Sequence, residues 1–437
     1  MNDFRHRLLS TRRVSVWGIG YLGYTSLLRL QSRGFSADVF DFDHERIKAL
    51  SKGRYPTQWH KESWSFRGST LSLDLSKVTP VTKIEEMFHN CLHIISFPGV
   101  ENYEDKSPLA ELAEHFINHK KELTDTLVIF QSAGPPGDIQ NNFINYLKDS
   151  GVGCAFVSAF RTDWSVEEFW VEDRRQVTAG YDDRSFQMAR VFFKIFGKEH
   201  VALSNIKETE IYECARKSLQ YTISSFINQL VMGYPNSNVR RMVALLLKDI
   251  QFDDIYPSIG PISYKPASAI EHLLQGSVHP DRLTMVQDAE ATNLSAIFYY
   301  AELIKRTSPK RILILGICEK GDQKDIRLSA SRILAEKFIE EKMKILIHDP
   351  YFTAEEILEL MPGASYLDMS KPFSKDDCII LMSAHRAYSF FNQADLDQMG
   401  MTSARLVIDN TGLWKDYRFS KNTIYHIPGD GKLGRLE

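Results

Sequence analysis

The 437-residue sequence holds only five cysteines, Cys91, Cys154, Cys214, Cys318 and Cys378, and no two are spaced as CxxC. Single scattered thiols argue against a disulfide framework and fit reduced thiols in a cytoplasm, which is the expected location. No apolar run approaches the roughly 20 residues that cross a bilayer. The opening MNDFRHRLLSTRR is basic but lacks an apolar stretch and a small-residue cleavage site, so it does not read as a secretory signal. Charge of one sign is also lacking: the formal net charge is -3, which gives no reason to expect a nucleic-acid or membrane partner. The 13 histidines show no HxxxH or similar spacing, so no metal site is expected. His385, after an apolar strand, reads as a satisfied edge residue. With 43% hydrophobic and 25% charged residues, the composition is that of a globular protein of two or three domains.

The strongest positive signal is RRVSVWGIGYLGYTSLLRLQSRGFSADVFDFD. Val14 to Trp17 is a β-rich run, Leu22 to Arg33 has helical apolar spacing closed by Gly34, and Ala37 to Phe42 is a second strand. Between the first strand and the helix stand Gly18, Gly20 and Gly23, with Tyr21 and Leu22 among them. The first glycine permits the tight turn, the second a close approach of backbone to a pyrophosphate, and the third close contact of helix and sheet. The anion then rests on free N–H groups at a helix N-terminus. Asp41 lies 18 residues past Gly23 at the end of the second strand. A carboxylate there accepts both ribose hydroxyls and repels a 2′-phosphate, so NAD rather than NADP is the expected cofactor.

Strand and helix patterns continue to alternate through LHIISF at 92–97, TLVIFQS at 126–132 and CAFVSAF at 154–160, as in a parallel sheet covered on both faces. Past residue 200 the patterns are helical, with one long amphipathic stretch from Lys207 to about Gly233, then 239–250 and 284–307. RILILG, SASRILAEKFIEE, KILIHDP, CIILMSAH and RLVIDNTG form a second α/β pattern. The expected class is α/β: a Rossmann-type NAD domain over 1–203, a central all-helical segment over 204–307, and a Rossmann-like α/β domain over 308–437.

These segments together resemble the UDP-glucose/GDP-mannose dehydrogenase family over nearly the whole chain. GIGYLG and VFDFDHERI are similar to that family's glycine turn and strand end, the latter adding Arg46 to the cofactor candidates. QSAGPPGDI resembles a segment at the edge of the NAD site and adds Ser132. TEIYECARKSLQYTISSFINQL resembles the long central helix and ends on Asn228, a substrate candidate. IYPSIGPISYKPASAIEHLL, with Gly260, sits where the family carries its catalytic loop. LGICEKGDQKDIRLSAS resembles the start of the nucleotide-binding domain, which implies that Lys320, Asp325 and Arg327 meet the nucleotide end of the substrate. The resemblance implies oxidation of the C6 alcohol of a nucleotide sugar, with a UDP-sugar the expected substrate and two NAD reduced. It also implies a homodimer formed through the central helix and a place in polysaccharide or glycoconjugate biosynthesis.

The departures from the family fall on the chemistry. Oxidation beyond the aldehyde needs a thiolate nucleophile. At the family's cysteine stands Tyr264, if the proline is the anchor, or Lys265, if the segment is matched without a gap from Pro257; Ser268 replaces the aspartate. On the central helix a Lys and Asn become Glu213 and Lys217, a spacing that also suits a surface ion pair. Gln131 and Ala133 replace a Glu and a Thr, and the family's later glutamate falls near Phe160 or Arg161. KDIQFDDIYPS holds no counterpart of the family's D-x-R. Three readings stand. An NAD-dependent enzyme on a nucleotide sugar makes a single hydride oxidation, or a transient oxidation with NAD recycled as in an epimerase or dehydratase. Glu213, Lys217, Tyr264 and Lys265 are its acid/base candidates. Alternatively, the chain is a conventional 6-dehydrogenase making a uronic acid, or a non-catalytic NAD- and nucleotide-sugar-binding protein.

Overall fold

The computed structural model describes residues 2–54, 63–66, 69–97, 108–161, 176–195, 200–249, 267–318, 321–322, 324, 326 and 329–432. Backbone packing divides the chain into two compact units, Met1–Arg216 with Glu271–Pro280, and Lys217–Ile270 with Asp281–Glu437.

The first unit is built on strands β1 (Arg13–Trp17), β2 (Ser36–Phe40), β5 (Val78–Pro80), β6 (Leu92–Ile95), β7 (Leu127–Phe130), β8 (Ala155–Ser158), β9 (Gln176–Gly180) and β10 (His200–Ala202). Strands β3 (Ser63–Phe66) and β4 (Ser69–Ser72) form a separate antiparallel hairpin. The sheet order is β10-β9-β8-β7-β6-β1-β2-β5, parallel except where β8 meets β9. From β1 the chain moves outward to β2 and β5, then returns to the other flank of β1 and moves outward again through β6, β7 and β8. The strand order therefore reverses between β1 and β6, the place where open α/β sheets take ligands.

Side chains alternate between two cores, as the twofold period of a strand requires. Val14, Val16, Leu127 and Ile129 join one cluster with helices α1 (Asn2–Thr11), α2 (Tyr21–Ser32) and α6 (Asp183–Ile195). Trp17, Val128 and Phe130 join the other, against Leu112 and Phe116 of α4 (Pro108–Asn118). Each such buried side chain stabilises the fold by about 1.5–3 kcal/mol. Helix α3 (His44–Ser51) starts at Asp43, whose carboxylate accepts the Glu45 N–H at 3.1 Å. A π-helical stretch, Gln140–Ile144, runs into α5 (Asn145–Asp149).

The chain then enters α7 (Ile206–Gly233), α8 (Val239–Asp249), α9 (Ala267–Gly276) and α10 (Thr284–Arg306); among the described residues from 206 to 306 every element is helical. The boundary between the two units falls inside α7.

The second unit carries β11 (Arg311–Leu315), β12 (Ile345–His348), β13 (Ser365–Tyr366), β14 (Asp377–Leu381), β15 (Leu406–Asp409) and β16 (Ile424–His426), with helices α11 (Ala330–Glu340), α12 (Ala354–Leu360), α13 (Arg386–Ser389) and α14 (Gln393–Met399). Its order, β13-β12-β11-β14-β15-β16, is parallel throughout and reverses between β11 and β14. Ile312 and Ile314 face one cluster, Leu313 and Leu315 the other. Burial on both faces explains why these strands read as unbroken apolar runs. The α/β class with two parallel sheets and helices between them in the chain is the one the alternation of patterns predicts. No helix among the described residues is long and apolar enough to cross a membrane.

Candidate cofactor and nucleotide sites

Two of the three glycines after β1, Gly18 and Gly23, meet a steric demand, and Gly20 leaves an opening. Gly18 has φ +89°, and its N–H donates to the Phe40 carbonyl at 2.8 Å. A side chain there would crowd Ser96 and Phe97, across the point where the strand order reverses. A Cβ on Gly23 would stand 1.8 Å from the Gly18 carbonyl oxygen, so the first turn of α2 packs on the glycine turn itself. Gly20, which precedes α2, is open: a Cβ there would meet only Arg46 Nη1, at 3.9 Å. The second glycine thus leaves a clear approach to the helix N-terminus. Leu22 is half-buried in the first turn, and the Tyr21 side chain lies outside the described parts of the chain.

Asp41 holds the turn from below. It is almost wholly buried; its Oδ2 accepts the Ile19 N–H at 2.7 Å and its Oδ1 the Asp43 N–H at 2.8 Å. Arg46 reaches the same Oδ2 at 3.4 Å and Asp43 at 3.1 Å. Each carboxylate oxygen accepts more than one hydrogen bond, so these contacts orient Asp41 without exhausting it.

Beside α2 lies a polar network that joins the helix to the sheet. Gln131 Oε1, just past β7, accepts the hydroxyls of Ser26 at 2.6 Å and Ser96 at 3.2 Å. Arg161, just past β8 and buried, donates to the Leu22 carbonyl at 3.1 Å, to Ser26 at 3.4 Å and to Thr25. Together they tie α2 to three strand ends. The Ser132 hydroxyl oxygen is buried and has no hydrogen-bond partner among the described residues.

Helix α7 carries three of the residues expected at the site, Glu213, Lys217 and Asn228. Glu213 is 2% exposed, so it is not part of a solvated surface pair. Arg216 grips its carboxylate with Nε at 3.1 Å and Nη2 at 2.9 Å. The buried carboxyl is therefore met by a guanidinium from the same helix. Lys217, one turn beyond Glu213, is half-buried, and Asn228 is buried further along. Next to Glu213 in the chain, the Cys214 thiol donates to the Gly134 carbonyl at 3.7 Å. Glu210, missed in the sequence, accepts the N–H groups of Gly137 at 2.7 Å and Ile139 at 3.1 Å. Its carboxylate caps the helical segment that follows Pro136, and burial pushes its pKa up to about 7 against the pull of those two donors. The signal that would have found it is a carboxylate on the same stripe as Cys214, Ser218 and Tyr221, all buried.

The second unit repeats the staple of the first. Gly316 has φ +85° and donates to the His348 carbonyl at 2.8 Å. Asp349, at the end of β12, accepts the Ile317 N–H at 2.8 Å and the Tyr351 N–H at 2.9 Å. These match Gly18, Asp41, Ile19 and Asp43 one for one. Cys318, however, stands where the first unit has Gly20. Of the residues expected at the sites, Gly260, Tyr264, Lys265, Lys320, Asp325 and Arg327 lie outside the described residues.

Residues 313–416, which span this second turn, match the UDP-glucose/GDP-mannose dehydrogenase family, UDP binding domain. Similarity to relatives runs from end to end. The UDP-N-acetyl-D-mannosamine dehydrogenase of Methanocaldococcus jannaschii is 22% identical over 96% of this chain and 97% of its own. The chain thus carries the UDP binding domain of the UDP-glucose/GDP-mannose dehydrogenase family. Within this family of oxidoreductases it is also similar to the NDP-N-acetyl-D-galactosaminuronic acid dehydrogenase of Ralstonia nicotianae, 18% identical over 94% of this chain and 98% of that one. Among solved structures, the UDP-D-ManNAc dehydrogenase of Pyrococcus horikoshii superposes with a TM-score of 0.72 at 17% identity, covering 96% of this chain and 100% of its own. A UDP-glucose dehydrogenase from Pyrobaculum islandicum gives 0.72 at 16%, covering 95% and 96%. At such identities the structural likeness concerns the fold.

The first unit fits the family's dinucleotide on its own geometry. The Gly20 cradle is open, α2 offers its N-terminus, and Ser132 presents a buried hydroxyl with no protein partner among the described residues.

Proposed function

We propose that this nucleotide-sugar dehydrogenase family member binds NAD, rather than NADP, in its first unit and a nucleotide sugar, most simply a UDP-sugar, in its second. Its chemistry is a hydride transfer that stops short of four-electron oxidation. The observation that carries the last point is the state of its thiols. All five cysteines are buried. Burial pushes the Cys154 thiol up to about 12 and raises those of Cys91 and Cys378. Cys214 donates its proton to a carbonyl. A buried, protonated thiol is a poor nucleophile, and none of the five lies in the 261–268 segment that corresponds to the family's catalytic loop.

Bound NAD supplies the hydride acceptor. The protein's own part begins with the N-terminus of α2 and the Gly20 cradle, which receive the pyrophosphate, while Asp41 is directed at the ribose. Glu213, held in one orientation by Arg216, is the acid/base candidate on α7, with Lys217 one turn away; Tyr264 and Lys265, outside the described residues, are the further candidates named from the sequence. Either a single oxidation of a hydroxyl or a transient oxidation with the hydride returned is consistent with this set.

A conventional 6-dehydrogenase is the second reading, favoured by the names of relatives that match nearly the full chain. Incubating the protein with NAD and a panel of UDP-, GDP- and CDP-sugars separates the two. Two NADH per sugar with a carboxylate product establishes the second reading and removes the first. One NADH, or an altered sugar with no net NADH, supports the first. Binding of NAD without turnover points to a non-catalytic protein.

The functional particle is a homodimer formed through the central helices. Leu219 and Phe226, seven residues apart on α7, are each about half exposed (51% and 52%). Met242, Leu245 and Leu246 form an exposed i, i+3, i+4 stripe on α8. Exposed apolar residues at helical spacing suit a helix–helix contact with a second copy.

A further inference from the structure

His385 and Asp349 occupy the carboxyl edge of the second sheet, where its strand order reverses between β11 and β14. His385 follows β14, Asp349 follows β12, and the Gly321–Asp322 turn belongs to the segment that follows β11. His385 is fully buried. Its Nδ1 accepts the Asp322 N–H at 2.9 Å, and its Nε2 faces Asp349 Oδ2 at 3.0 Å. The Asp322 N–H leaves only one arrangement of the neutral ring: Nδ1 bare and Nε2–H donating to the carboxylate.

That arrangement excludes one attractive alternative. Cys318, Asp349 and His385 offer ligand atoms within 4.8 Å of one another, a grouping that suits a metal ion. A metal on Nε2 requires the ring proton on Nδ1, where a metal-bound histidine normally donates it to an acceptor. Here Nδ1 faces a donor. Asp349 Oδ2 is also committed to the Ile317 N–H at 2.8 Å.

What the ring does instead is fasten a turn. Asp322 has φ +59°, an uncommon conformation for a non-glycine residue, and needs outside support. Its Oδ1 accepts the Arg386 N–H at 2.9 Å and the Tyr351 hydroxyl at 3.3 Å. A Cβ on Gly321 would stand 2.0 Å from the Ala384 carbonyl oxygen, so the two backbones are in direct contact. The turn is thus clasped to 384–386 by a backbone contact and by hydrogen bonds running in both directions. In the first unit the equivalent carboxylate, Asp41, faces Arg46; in the second, Asp349 is covered by the imidazole.

We propose that His385 is a positioning residue for the nucleotide end of the substrate, holding the Gly321–Asp322 turn in place at the edge of the second sheet where the nucleotide is received. The inference rests on the reading that the second unit takes the nucleotide. It assigns His385 no contact with the ligand and no proton transfer.

The test uses the full chain, with UDP and NAD as separate probes in calorimetric titrations. His385→Ala removes the acceptor for the Asp322 N–H and should weaken UDP binding about 10-fold, the effect of one buried hydrogen bond, while NAD affinity changes less than about 2-fold. His385→Asn retains an acceptor near the position of Nδ1 and should recover most of the loss. Imidazole ¹⁵N shifts in the wild type should show the proton on Nε2. Four results overturn the proposal: UDP bound equally well by His385→Ala, no recovery in His385→Asn, equal weakening of NAD and UDP, or a proton on Nδ1. If the wild type binds no UDP at all, the nucleotide reading fails first and the inference goes with it; if the wild type binds UDP and His385→Ala binds it equally, only the inference fails.

Discussion

Glu210 sets two physical effects against each other, and the sign of a pH dependence shows which one dominates. Its carboxylate accepts two N–H groups at the start of a helical segment, which favours the charged form. It is also fully buried, which favours the neutral form. Burial prevails, and the pKa is raised from 4.5 to about 7. A raised carboxyl pKa means that the folded state binds the proton more tightly than the unfolded state. The stabilisation is complete below pH 4.5 and is lost as pH rises through about 7. At about 1.4 kcal/mol per pKa unit, the loss is about 3 kcal/mol. Glu210→Gln removes the titration. Its amide can face one N–H with oxygen but opposes the other with NH₂, a penalty of about 1–3 kcal/mol at every pH. At pH 4.5 the wild type should therefore be the more stable of the two, and by pH 8 the advantage should vanish or reverse. Urea denaturation of both proteins at pH 4.5, 6 and 8, with hydrogen exchange at Gly137 and Ile139 to locate the effect, measures this. A wild-type advantage that stays constant, or grows with pH, refutes the reasoning: the helix terminus would then outweigh burial.

Gly23→Ala drives a methyl group into the Gly18 carbonyl oxygen, so NAD binding measured by calorimetry should be lost and thermal stability should fall by about 1–3 kcal/mol or more. Normal NAD affinity in that variant would remove the glycine turn as the cofactor site. Glu213→Gln should reduce turnover at least ~100-fold if the carboxylate moves a proton, with NAD affinity preserved; a near-normal rate excludes it as an acid or base. Leu245→Glu, at a position 58% exposed, should leave the fold intact and convert dimers to monomers in sedimentation analysis; an unchanged oligomer would place the interface elsewhere.

Much of the fold is legible because parallel strands buried on both faces declare themselves. RILIL, LVIF and LVID need no long-range information to be read as core strands. The glycine turn is legible for the same reason: Gly18 and Gly23 answer local steric demands, and Gly20 keeps the approach open. Edge strands such as His200–Ala202 and Ile424–His426 are not, since three residues carry no period. The polar residues of the site are harder still. Arg161 and Gln131 meet on Ser26 from the ends of different strands, and a hydrogen bond between residues more than 70 positions apart, such as Glu210 to Gly137, leaves no trace in spacing. His385 was legible as a satisfied residue at a strand end, but the donor that satisfies it, the Asp322 N–H, belongs to another strand's loop.

The staple beneath the first glycine turn bears on any attempt to change the cofactor. The usual route from NAD to NADP replaces the acid at the end of the second strand. Here that acid is also the anchor for the backbone of Ile19 and Asp43. Removing it leaves the buried Ile19 N–H and the part-buried Asp43 N–H without this acceptor, so an Asp41 variant would lose NAD because the turn loosens, whatever the ribose does. Lost affinity in such a variant is therefore no proof of a ribose contact. A redesign for the phosphorylated cofactor has to keep this carboxylate and make room around Arg46 instead.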